Sequence, residues 1–281
     1  MAETVQKNME LMVKEMRQFR DLKILNDEEI KELLRRRKHY EYKINGITKN
    51  LNDYLDYIKY EYALLKLIKI RRANSKDKCS GERKIITRIK RLYEVAVMRF
   101  PQHLQVSLDY FKFCKEVKFL SEVRSILSKM IKNHPKKEEV WLITSQFYFK
   151  DLKDTKFALK TLRKGLAILK NSKLLFKEIF KVEVLDVVNK QSSDVNKEND
   201  EEENENEKMC VKKLLLYFEE MKKLIEDIDV YMEILQFLKD YKFTLPVQKS
   251  IVHHLYCNYS EELAVWNAGV PCYDIAYKMT E

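Results

Sequence analysis

Three residues late in the chain have side chains that could bind a metal ion: His253, His254 and Cys257. Residues three apart share one face of a helix, so His254 and Cys257 could supply two ligands. A structural zinc site takes four ligands, and no second pair with ligand spacing lies nearby, Cys272 being the one further candidate. We therefore predict no metal site.

Sequence motifs of enzyme chemistry are also missing. A glycine-rich phosphate loop is absent, and the whole chain has only 4 glycines. Neither Gly-x-Ser-x-Gly nor His-Glu-x-x-His occurs, and the 5 histidines are scattered. The sequence thus predicts no catalytic residue, no cofactor and no small-molecule substrate, so the chain is expected not to be an enzyme.

Composition and charge limit the setting in which the protein works. The 5 cysteines form no Cys-x-x-Cys pair, and an odd count favours reduced thiols inside a cell. We find no apolar stretch that resembles a signal peptide or approaches the length of a membrane span. The net charge of +10 permits an anionic partner such as RNA but does not by itself indicate one.

The 281 residues include only 4 glycines and 4 prolines, the residues that interrupt helices. We therefore expect helices nearly throughout, and any functional surface must lie on them. Pro101 and Pro135 each follow a basic amphipathic helix and stand one period of 34 residues apart. A period of this length is typical of stacked helical hairpins. The sequence therefore predicts an all-α fold, a right-handed solenoid of antiparallel helical hairpins.

The first helix of each predicted hairpin has a recurring row at positions i, i+3 and i+7, which share one helix face. We interpret these rows as core stripes whose large or acidic members anchor the repeats: Tyr54, Tyr57, Glu61, Tyr110, Trp141, Phe176 and Glu183. A buried acid needs a partner, and an Arg or Lys from the second helix of the hairpin is the natural candidate.

The domain plan has four parts: an N-terminal helical segment (1–50), repeats (51–190), a disordered acidic insertion (191–208) and further helical repeats (209–281). The basic run 35–38 has two interpretations, a nuclear-localisation patch or a solvated helix face, and the second is favoured. The first helix has an apolar face that is either core or a seat for a partner: Val5, Met9, Met12 and Met16.

These rows, with the prolines that close the second helices, resemble half-a-TPR (HAT) repeats. The N-terminal residues 30–34, 41–44 and 53–61 resemble more specifically the family of U-three small nucleolar RNA-associated protein six, and Trp141 and residues 175–178 continue the similarity. Ser107 and Tyr148 depart from the repeat, which favours an aromatic and an acid at those positions. Family members are about twice this long, so we expect the array to stop early.

The resemblance implies a nucleolar, non-catalytic scaffold of the small-subunit processome, which supports processing of pre-rRNA. It implies WD-repeat proteins of the processome B subcomplex as partners, with U-three small nucleolar RNA and pre-rRNA contacted directly or indirectly, and no membrane. Two alternatives stay open. One is a HAT scaffold of splicing or 3′-end processing, and the other is a TPR-like adaptor with a peptide groove lined by Asn, Lys and Arg.

Overall fold

The computed structural model describes residues 2–72, 80–193 and 200–259, and every regular element in these ranges is helical. The chain forms two compact units, residues 1–133 and 134–281. No helix of the described ranges is both long and apolar enough to cross a membrane. The all-α class predicted from the sparse glycines and prolines is confirmed.

In the N-terminal unit each helix packs against the next one along the chain, and the first also packs against the fourth. The helices are α1 (Ala2–Asp21), α2 (Asp27–Asn45), α3 (Leu51–Arg71), α4 (Ser80–Arg99), α5 (Leu104–Glu116) and α6 (Leu120–Asn133). Pairs α1–α2, α3–α4 and α5–α6 form successive hairpins.

The C-terminal unit repeats this hairpin pattern. Its helices are α7 (Glu138–Gln146), which continues as a π-helical turn (Phe147–Asp151), α8 (Thr155–Ile168), α9 (Lys173–Ser193), α10 (Asp200–Lys222), α11 (Ile228–Leu238) and α12 (Leu245–Tyr259). Pairs α7–α8, α9–α10 and α11–α12 are in contact, and α9 also packs against α7, α8 and α11. The predicted helical-hairpin organisation is therefore found within each unit.

Side chains at the helix starts explain several of these boundaries. Asn26 caps α2 in a reciprocal capping box, accepting from the Glu29 amide at 2.7 Å while the Glu29 carboxylate accepts from the Asn26 amide at 3.0 Å. Asp154 and Asp227 cap α8 and α11 in the same single-sided way as Asn50 caps α3. These caps satisfy amide groups that a helix start leaves without partners.

The structure differs from the predicted domain plan at two boundaries. The division into units follows Asn133, inside the stretch 51–190 that was expected to form one run of repeats. Helix α9 extends to Ser193 and α10 begins at Asp200, so helix enters the predicted insertion 191–208 from both ends. Glutamate and lysine are good helix formers, and composition alone does not separate a solvated acidic helix from an acidic coil. Residues 194–199 lie outside the described ranges.

Candidate interaction site

All seven predicted repeat anchors are buried. They lie on the first helices of successive hairpins: Tyr54, Tyr57 and Glu61 on α3, Tyr110 on α5, Trp141 on α7, and Phe176 and Glu183 on α9. Burial places them in the cores of their units, and their energetic role as anchors stays a prediction.

Four charged side chains meet in the core of the N-terminal unit, one from each of α1 to α4. Arg37 donates to the two carboxylate oxygens of Glu61 from Nε at 2.7 Å and from Nη2 at 2.8 Å. The same Nη2 donates to Glu15 at 3.0 Å. Arg88 completes the network with 2.7 Å to Glu15 and 3.3 Å to Glu61. We call these four residues the buried charge network, and it joins all four helices.

A layer of hydrogen bonds surrounds this network. Glu41 of α2 accepts from Asn8 Nδ2 at 2.8 Å and from the Tyr57 hydroxyl at 3.1 Å. The Tyr57 ring stacks on Tyr40 with centroids 5.0 Å apart. Each buried polar group in this layer therefore has a partner on another helix, which specifies how the helices pack.

Electrostatics keep the network charged although it is buried. Burial acts to raise the pKa of Glu15, but the adjacent Arg37 and Arg88 hold that pKa below its ordinary value. Burial likewise acts to lower the pKa of Arg37 and Arg88, and the carboxylates Glu61 and Glu15 raise it instead. Mutual pairing thus offsets the desolvation of these ions, so each depends on the others being present.

Arg37 corrects the interpretation of the basic run as a solvated helix face. Arg35 and Arg36 are exposed and share the surface acid Glu32, but the Arg37 side chain is completely buried. A helix turns by about 100° per residue, so consecutive arginines point in different directions. The spacing of the buried Ile30, Leu33 and Arg37 at i, i+3 and i+7 was the signal in the sequence.

Of the two interpretations of the apolar face of the first helix, the structure favours core over a seat for a partner. Val5, Met12 and Met16 are buried, and Met9 is half-buried, because α1 packs against both α2 and α4. The sequence leaves open whether a terminal helix finds such a neighbour, and the packing of α4 on α1 decides the matter. The large apolar residues of α1 that do remain exposed are Leu11 and Val13.

Glu183 has the position of Glu61 but a weaker set of partners. Lys213 of α10 lies 3.3 Å from one carboxylate oxygen and Arg163 of α8 lies 3.6 Å from the other, and both cations are partly exposed. Burial raises the pKa of Glu183, and these two cations only partly oppose the shift. The ionised carboxylate at this position therefore costs free energy in the folded protein.

We expect Glu183→Gln to leave the free energy of unfolding at neutral pH within about 1 kcal/mol of wild type, because a neutral amide avoids that cost. A folded-state pKa above the unfolded one means that wild type gains stability relative to the variant as the pH falls through the folded pKa. Urea titrations at several pH values check both statements. A loss above about 2 kcal/mol at neutral pH would show that the two cations outweigh the burial.

An open groove of about 530 Å³ lies beside the buried charge network, between α1 and α4 and next to the end of α2. Its floor is aliphatic, with Leu11, Met12 and Leu92. Arginine and lysine side chains of α4 line it as well, and Glu15 and Arg88 belong to both the groove and the network. We call this the α1–α4 groove, and it is the candidate interaction site.

The His and Cys residues near the end of α12 do not assemble with further ligands in the described residues. The Cys257 sulfur lies 3.7 Å from His253 Nε2, and His254 stacks edge-on against Phe218 and Tyr231. Over the part of the chain that the structure describes, no group of three or more His, Cys, Asp or Glu side chains is arranged to hold a metal ion. Cys272 lies outside those residues.

Fold and site together define a helical-hairpin repeat protein with a charged core and a cationic groove in its N-terminal unit. Residues 9–91 match the family described as U3 small nucleolar RNA-associated protein 6. The matched segment runs from α1 to α4 and includes all four members of the buried charge network.

Curated relatives bear the same name in three organisms. The Homo sapiens homolog is 23% identical over 275 residues, which are 95% of this chain and 46% of the relative. The Mus musculus homolog is 27% identical over 66% of this chain and 32% of its own length. The Schizosaccharomyces pombe protein is 26% identical over 66% of this chain and 38% of its own length.

The resemblance to the U3 small nucleolar RNA-associated protein 6 family is therefore confirmed. The chain spans less than half the length of each of these relatives.

Proposed function

We propose that this protein is a non-catalytic scaffold of ribosome biogenesis, a component of the small-subunit processome that supports pre-rRNA processing in the nucleolus. The observation that carries the proposal is the family match, which falls on the α1–α4 body. The names of the relatives associate them with U3 small nucleolar RNA. One surface of these helices that suits assembly is the α1–α4 groove, which has the cations and apolar floor of a binding surface rather than clustered catalytic groups.

The same proposal includes the partners that bind this chain directly. We expect WD-repeat proteins of the processome B subcomplex to bind this chain directly, and U3 small nucleolar RNA to be recovered through them. Protein-mediated attachment suits a repeat protein, because stacked hairpins present long surfaces for other proteins.

Affinity purification of the tagged chain from cells, with and without RNase, tests the proposal. We expect U3 small nucleolar RNA in the untreated sample and WD-repeat proteins in both samples. Loss of the WD-repeat proteins after RNase treatment would show that RNA, and not direct protein contact, links them to this chain. Recovery of splicing or cleavage factors in place of processome proteins would contradict the proposal and favour the other class of HAT scaffold.

A further inference from the structure

The α1–α4 groove has an apolar floor that the described residues leave open. Leu11 is 67% exposed although its neighbour Met12 is almost completely buried. Ile44 and Val95 extend the apolar lining and are each half-buried. An aliphatic strip that is partly open to solvent, within a groove large enough for several side chains, suits leucine-sized side chains from another molecule.

The rim of the groove is positively charged. Arg83 and Arg91 are exposed, Lys84 is half-buried beside them, and all three project from α4. Among the described residues none of the three has an ion-pair partner, whereas Arg88 on the same helix is held by Glu15 and Glu61. The rim therefore offers charges that are free to pair with an anionic ligand.

The two acids that line the groove do not neutralise this rim. Glu15 is paired with Arg37 and Arg88. Glu41 accepts hydrogen bonds from the neutral Asn8 and Tyr57 and keeps its negative charge, but the three rim cations outnumber it. At the other end of the groove Arg99 adds a further exposed cation. The field in the groove is therefore positive.

The residues that line the groove favour a protein ligand over an RNA ligand. Proteins bind single-stranded RNA by stacking bases on open aromatic rings. The aromatic residue that lines this groove is Tyr54, which is 1% exposed and has Arg99 over its ring at 5.7 Å. Aliphatic floor and cationic rim together match a helix with apolar residues on one face and acids at its flanks.

We propose that the α1–α4 groove binds an acidic amphipathic helix of a partner protein. Its apolar face packs on Leu11, Ile44 and Val95, and its acids pair with Arg83, Lys84 and Arg91. This inference rests on the proposed scaffold role and names the chemical class of one partner segment.

The test uses the full chain and a fluorescein-labelled synthetic helix of about 18 residues with leucines on one face and glutamates at its flanks. Fluorescence anisotropy compares this probe with two others, one with lysine in place of glutamate and one with serine in place of leucine. We expect the acidic leucine probe to bind about tenfold more tightly than either, since both charge and apolar contacts contribute.

Matched variants locate the binding. Arg83→Glu with Arg91→Glu should weaken binding of the acidic probe about tenfold. Arg124→Glu with Lys129→Glu, at exposed positions of α6, makes the same net charge change and should alter binding less than about twofold. Leu11→Gln should weaken it about fivefold, and Ile70→Gln, at an equally exposed position outside the groove, should not. All six positions are exposed, so we expect each variant to fold.

Three results would overturn the inference. The acidic probe could bind no more tightly than the lysine probe, or the groove variants could behave like their controls. Tighter binding of a uridine-rich oligonucleotide that is lost in Arg83→Glu with Arg91→Glu would replace the peptide ligand by RNA. None of these results affects co-purification with U3 small nucleolar RNA. Failure of the groove inference is therefore distinguishable from failure of the scaffold proposal.

Discussion

Replacing Arg37 with methionine is expected to destabilise the N-terminal unit by about 3–5 kcal/mol. Methionine keeps much of the side-chain volume, so the loss comes from charge and not from a cavity. Glu15 and Glu61 are completely buried, and without Arg37 they share only Arg88. One cation then faces two carboxylates in a place that water does not reach, which leaves negative charge uncompensated.

The size of this loss should depend on pH. In wild type the pKa of Glu15 is held below its ordinary value of 4.5, so its stabilising contribution is present above that value and is lost as the pH falls through the folded pKa. In the variant, burial raises the pKa of Glu15 because Arg37 no longer opposes it. Protonation of Glu15 then removes a buried charge, so the difference in free energy of unfolding between wild type and variant becomes smaller at acidic pH.

Arg36→Met is the matched control, one residue away and in the same helix. Arg36 is exposed and pairs only with the surface acid Glu32 in the described residues, so we expect a change below about 0.5 kcal/mol. Urea unfolding gives the free energies, and hydrogen exchange shows whether the loss is confined to α1–α4. A loss below about 1 kcal/mol for Arg37→Met would contradict the account of the network as mutually dependent.

The sequence predicted the hairpins well because their signal is local and repeated. Ser107 and Trp141 stand one 34-residue period apart and both are buried on the first helix of a hairpin. Tyr231 occupies a similar place on α11 and is completely buried, but it was not predicted as an anchor. The acidic tract lengthens the interval between Phe176 and Tyr231, so the 34-residue period does not predict the position of Tyr231.

The candidate site was harder to predict because it depends on contacts between helices distant in sequence. Glu61 was expected to pair with a base of its own hairpin, and Arg88 of α4 does so. Its closer partner, Arg37, comes from the preceding helix, and Glu15 joins from α1. The spacing of Ile30, Leu33 and Arg37 indicates which arginine turns inward. No spacing within one helix encodes the partners of that arginine, nor that α4 covers α1 and leaves a groove between them.

The buried charge network and the α1–α4 groove share residues and are therefore structurally coupled. Glu15 and Arg88 belong to both, so the charge pairing that fixes α1 against α4 also fixes the walls of the groove. A binding surface whose walls are already fixed loses less conformational entropy when a partner docks. The family match covers all four residues of the network and the part of the groove lining between residues 9 and 91.

Trp141→Ala is expected to destabilise the C-terminal unit by about 3–5 kcal/mol, since it removes a large side chain that is 3% exposed. The indole Nε1 donates to the Pro135 carbonyl at 2.8 Å, which fixes the turn before α7 to the ring. On the other side the ring lies against Gly165 of α8, where a β-carbon would come within 3.0 Å of the Trp141 ring and 3.1 Å of Leu175. Trp141 thus fills the space between α7, α8 and α9.

A double-mutant cycle with Gly165→Ala tests this contact. In wild type the added methyl group meets the indole, so the expected gain in helix propensity of about 1 kcal/mol is cancelled or reversed. In Trp141→Ala the ring is gone and the Leu175 side chain has room to move away, so the same methyl group should stabilise the helix and fill part of the cavity. Urea unfolding of the four proteins gives the coupling energy. Equal effects of Gly165→Ala in both backgrounds, or a loss below about 1 kcal/mol for Trp141→Ala, would show that Trp141 is not an anchor between these helices.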